Sequence, residues 1–116
     1  MKITDAELRQ RILQAMGDPD TSRLLQSVRT TAKDAQTIST EIGVPLSSVY
    51  RKLAMLKGAG LIYMSSFRMT AEGKRQDMFL CAVTEVKMEI LGDQVEVELT
   101  PTQQNATRIW FELFKS

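Results

Sequence analysis

Apolar residues recur at helical spacing through the first half of the chain and alternate through most of the second. Leu8, Ile12 and Leu13 predict a first helix, opened by Thr4 in the capping-box string Thr4-Asp5-Ala6-Glu7 and ended by Gly17-Asp18-Pro19. Leu24, Leu25 and Val28 predict a second, from residue 20 or 21 to 28, followed by a short link over 30–33. Ile38 and Ile42 share one face of a third helix. Gly43 stops it, because glycine takes the left-handed conformation without steric cost, and Pro45 prevents its continuation. Ser47 or Ser48 can cap the helix that follows, in which Val49, Leu53 and Leu56 form one buried stripe.

From residue 61 the period becomes strand-like. Residues 61–67 predict one strand, 70–76 a polar tip around Gly73, and 77–84 a returning strand. Gly92-Asp93 is a two-residue turn signal between VKMEIL and QVEVEL. It pairs Ile90 with Val95, Met88 with Val97 and Val86 with Leu99 on one face, and Lys87 with Glu98 and Glu89 with Glu96 on the other. The even-numbered apolar face through Met78, Leu80, Ala82, Val86, Met88 and Ile90 predicts that the two hairpins run together as one extended sheet. A last helix is expected after Thr100-Pro101-Thr102-Gln103, with Ala106, Ile109, Trp110, Leu113 and Phe114 as its apolar face. That face either covers the chain's own sheet or pairs with a second subunit.

Two short helices joined by a glycine-stopped turn, the second with polar and basic residues outside its apolar stripe, are the layout of a helix-turn-helix. Ser47, Ser48, Tyr50, Arg51 and Lys52 are expected on or near the outer side of the second helix, about residues 46–58, as it enters a major groove of double-stranded DNA. Arg51 is the foremost candidate for a base contact, since a guanidinium can bridge the two acceptors of a guanine edge. Tyr50 suits either a DNA contact or packing at the turn, and Lys57 reads as a solvated charge. A hairpin directly after such a helix is a wing. Its basic residues, Arg68, Lys74 and Arg75, are placed to meet flanking phosphate or minor groove. The expected class is therefore α+β: three to four N-terminal helices, a β-wing, an extra hairpin and a C-terminal helix. Residues 1–84 would form the DNA-binding domain, and 85–116 a dimerisation extension of it.

Composition sharpens this picture. The net charge is only +1, but residues 46–75 hold six basic side chains (Arg51, Lys52, Lys57, Arg68, Lys74, Arg75) against Glu72 alone. Residues 85–116 hold three basic and six acidic side chains. Such a dipole orients a protein on a polyanion with its acidic part held away. The 116-residue chain has no histidine, which removes the commonest general base and metal ligand together. A glycine-rich phosphate loop and a recognisable acid–base pair are also missing, so enzyme activity is not expected. The single Cys81 excludes an internal disulfide and fits a reducing cytoplasm, with its apolar neighbours marking it as a core residue. No apolar run approaches the roughly 20 residues of a membrane span, and the N-terminus does not read as a signal peptide. A protein-interaction module within a larger assembly is the competing reading.

The segments MGDPDTSRLLQSV and TISTEIGVPLSSVYRKLAMLKGAGLI resemble the opening "DPTR" helix and the helix-turn-helix with its "AGLI" exit of the ArsR-like winged helix-turn-helix regulators, especially their archaeal relatives. The resemblance covers roughly residues 13–83. It implies a cytoplasmic homodimer on a pseudo-palindromic operator, with terminal helices at the dimer interface; here that points to Leu8, Ile12, Ile109, Trp110 and Leu113. Metal-sensing members carry a cysteine pair before the turn or histidines and acids on the last helix. This chain has AQTIST at the first position and a lone cysteine, so no metal and no cofactor are expected. Nothing in the sequence marks an effector pocket.

Overall fold

The computed structural model describes residues 1–102 and contains helices α1 (Ala6–Met16), α2 (Thr21–Ser27), α3 (Ala35–Ile42) and α4 (Leu46–Gly58). Strands β1 (Ile62–Met69), β2 (Arg75–Cys81), β3 (Val83–Leu91) and β4 (Gln94–Pro101) follow. The expected terminal helix, with Ile109, Trp110 and Leu113, lies outside the described residues. Helix α1 is capped by Asp5, not Thr4: the Leu8 N–H donates to Asp5 Oδ1 at 3.0 Å, the reach of a carboxylate to the third helical residue. Helix α3 is capped in the same way by Asp34, which accepts from Thr37 N at 3.0 Å.

Apolar stripes of the four helices meet in one core. Ile12, Leu24, Val28, Ile38, Val49, Leu56, Leu61 and Ile62 are wholly or almost wholly buried there. Leu8 and Ile12 belong to it as well, which corrects their expected place at a dimer interface. Their side chains face this chain's own interior.

The two hairpins are separate two-stranded antiparallel sheets, β1–β2 and β3–β4, rather than one extended sheet. The break is at Ala82. This buried residue donates its N–H to Leu61 O at 2.9 Å and accepts from Thr102 N at 2.9 Å, so the chain changes partners there. Within β3–β4 the pairing is the one the sequence predicts, from Ile90 opposite Val95 to Val86 opposite Leu99. Gly92, at φ 60°, begins its turn. Two short additions were not foreseen. Lys33 bridges Phe79 on the free side of β2, and residues 1–3 lie along β4, with Ile3 N donating to Val97 O at 2.9 Å. Ile3, Val97 and Leu99 thereby close the core on the side of the second hairpin.

Between α3 and α4 the chain reverses through Gly43, at φ 68° in the left-handed region. A Cβ added there would meet nothing within 4 Å, so substitution carries a conformational cost without a clash. Gly43→Ala is expected to destabilise the fold by about 1 kcal/mol, and Gly43→Asn by less, because asparagine tolerates this region. Urea melts of the two variants check the order.

Candidate nucleic-acid interface

Helix α4 has two faces with different fates. Val49, Lys52, Leu53 and Leu56 are buried, at i, i+3, i+4 and i+7. Ser47, Tyr50, Arg51 and Ala54 repeat the same spacing on the outside and are exposed, Tyr50 by 58%. Ser48 is half-buried, and Lys57 is exposed at the far end. Pro45 occupies the N-cap position with no side-chain hydrogen bond, so Ser47 and Ser48 sit inside the first turn instead of capping it. Among the described residues no side-chain hydrogen bond caps that turn, an arrangement that favours an anion.

Lys52 is not on the outer face, which corrects its expected role as a DNA contact. Its side chain is 8% exposed, and its ammonium lies 2.9 and 2.8 Å from the two carboxylate oxygens of Asp18 and 3.6 Å from Asp20. A buried ammonium must be paired, and the α1–α2 loop supplies both partners. The Lys52 hydrogen bond, with one from the Asp20 N–H, holds the Asp18 carboxyl below its ordinary value. Asp20 also holds Arg23 at 3.1 Å, and Arg23 donates to the Ile42 carbonyl at the end of α3. Ser39 Oγ donates to Val44 O, closing the turn from inside. Asp18, Asp20 and Arg23 were missed as parts of the site. The signal was present in the spacing of residues 49, 52, 53 and 56, which puts Lys52 on the inner stripe.

The wing carries its cations in three states. Arg68 donates to Gln76 Oε1 at 2.8 Å and stands 3.9 Å from Asp34, the α3 cap. Arg75 binds Asp77 Oδ1 at 2.8 Å and stacks over the Phe67 ring, 4.1 Å from its centroid. Lys74, at the tip, forms no ion pair among the described residues; its N–H donates to Thr70 Oγ1 at 3.0 Å. All three are exposed. Between wing and helices runs a groove of about 140 Å³ lined by residues that include Gln36, Tyr50, Arg75 and Gln76. Tyr50 therefore stands open beside the wing. Gln36 and Gln76 join it there, although their isolated positions in the sequence give no sign of it.

No family model and no curated protein sequence matches the chain. Among solved structures it is similar to the crystal structure of NolR from Sinorhizobium fredii, at 20% identity and a TM-score of 0.53 over 68% of this chain and 73% of that one. The fold is a winged helix-turn-helix. In that frame α3 and α4 are the helix-turn-helix and β1–β2 is the wing.

The Asp18 carboxyl binds its proton less tightly in the folded protein than in the unfolded chain. The stability it contributes is complete above the unfolded value of about 4 and is lost as pH falls through the lower folded value. Asp18→Asn is expected to destabilise by about 2 kcal/mol at neutral pH, with the gap to the parent protein narrowing toward about pH 3. Denaturant melts across that range check both size and trend.

Proposed function

We propose that the protein is a sequence-specific transcriptional regulator of the ArsR-like kind, a DNA binder rather than an enzyme, acting as a homodimer in the cytoplasm. The observation that carries this reading is the exposed row Ser47, Tyr50, Arg51 and Ala54 on a 13-residue helix whose opposite face is anchored in the core. A rigidly held helix with an open polar row and an uncapped first turn suits a major groove, with the N–H groups meeting a phosphate. Arg51 is the base reader in this scheme, and Tyr50 and Ser47 flank it. The wing meets adjacent DNA through Lys74, Arg68 and Arg75, of which Lys74 is the cation that no carboxylate neutralises among the described residues. Lys52 has no part in DNA contact. Likeness to NolR supports the reading at the level of fold. Among the described residues no helix is long and apolar enough to cross a membrane.

Selection from random-sequence duplex DNA at two salt concentrations tests the proposal. A pseudo-palindromic site should be enriched. Arg51→Ala should weaken specific binding by roughly 1–3 kcal/mol and relax the preference at one base pair. Lys74→Ala should weaken all sequences alike and lower the salt slope by about one. An unchanged footprint and affinity in Arg51→Ala overturns the assignment of the reader. No binding even at low salt overturns the function and makes the outer face of α4 a protein-docking surface.

A further inference from the structure

The β3–β4 hairpin extends beyond the core that its base helps to close. Its apolar row becomes steadily more open toward the turn: Val86 is half-buried, Met88 is 49% exposed and Ile90 83%. Residues 1–3 occupy the far edge of β4, whereas no strand among the described residues pairs with the outer edge of β3. Such an edge, with open backbone groups and an apolar face, is a template for another strand.

The backbone defines what that edge offers. Leu91 and Gln94 close the hairpin around a two-residue turn and form a hydrogen-bonded pair, and hydrogen-bonded and open pairs alternate from there. Residues 91, 89 and 87 therefore turn their N–H and C=O groups toward β4. Val86, Met88 and Ile90 turn theirs outward.

We propose that a second copy of this chain pairs with this edge, the two β3 strands running antiparallel with Met88 on the two-fold axis. In that register Val86 faces the partner's Ile90 twice over, and Met88 faces the partner's Met88, so the open apolar rows merge. On the other face Lys87 lies opposite the partner's Glu89, again twice. Neither Lys87 nor Glu89 forms an ion pair among the described residues of its own chain, so each charge is available to the partner. Neighbouring registers fail on charge. Centring on Lys87 sets it against itself and sets Glu85 against the partner's Glu89, while centring on Glu89 sets that carboxylate against itself. Centring on Val86 carries Ile90 past the end of the partner's β3. The result is a four-stranded sheet across the dimer axis, made without Leu8 or Ile12. The pairing is measured without DNA, so it and the DNA-binding reading can fail separately.

Charge reversal tests it. In sedimentation at low salt, Lys87→Glu and Glu89→Lys should each raise the dimer dissociation constant about tenfold, since two facing pairs change from attraction to repulsion. The double variant, which restores opposite charges across the axis, should return to within about threefold of the parent protein. Met88→Cys supplies a check on register that does not depend on charge. Facing residues of a hydrogen-bonded pair lie about 5.5 Å apart, within disulfide range, so mild oxidation should link two copies. Ile90→Cys, four residue steps from its own counterpart, should not link. Dimerisation that the single reversals leave unchanged, a double variant as weak as the singles, linkage at Ile90→Cys but not Met88→Cys, or a monomer at every concentration overturns the proposal.

Discussion

A single buried ammonium holds the placement of α4. Lys52 lies on the inner stripe of α4 among Val49, Leu53 and Leu56, where an unpaired charge would be costly. Asp18 and Asp20 both reach it from the α1–α2 loop. Turning α4 by one residue would withdraw Lys52 from the two carboxylates and expose the aliphatic stripe together. The outward row of Ser47, Tyr50, Arg51 and Ala54 is thus set from behind. The constraint spreads further through Asp20, which holds Arg23, which in turn holds the last carbonyl of α3. One chain of polar contacts therefore connects the loop before α2, the end of α3 and helix α4. A buried pair of this kind is a weak source of net stability, but breaking half of it is costly, and that asymmetry resists alternative placements of the helix.

A second junction places the wing. Asp34 caps α3 and is also the carboxylate nearest the Arg68 guanidinium. Burial works against its charge, yet the hydrogen bonds from Thr37, aided by Arg68, hold the carboxyl below its ordinary value. On the other edge of the wing Lys33 and Phe79 exchange backbone hydrogen bonds at 3.0 and 2.8 Å. The segment that enters the first helix of the motif is therefore attached to the wing at two neighbouring residues, Lys33 and Asp34, beside the groove that Tyr50 lines.

Local rules made much of this legible in the sequence. The turn at Gly43 and the pairing of β3 with β4 follow from glycine stereochemistry and a period of two, and the structure has them as expected. The errors have a common cause. By type Lys52 reads as a surface residue, although its spacing from Val49 and Leu56 places it inside. The family resemblance points Leu8 and Ile12 toward a partner, and an apolar stripe alone does not say whose core it joins. The break at Ala82 and the strand added by residues 1–3 depend on partners far away in sequence, which no periodicity encodes. Arg68, Lys74 and Arg75 were read as equals, and only side-chain geometry separates the engaged arginines from the lysine.

The sulfur atoms are divided between interior and surface in a way that bears on oxidative damage. Cys81 is buried, and that burial pushes its thiol above its ordinary value, so little reactive thiolate forms and oxidants must wait for local opening. Met69 on the wing and Met88 on the second hairpin are exposed in the single chain. Peroxide would therefore meet thioethers first, setting a polar sulfoxide oxygen on the strands while the core stayed chemically untouched. The resulting lesion is of the reversible kind, on exposed strands rather than in the packing that holds the fold.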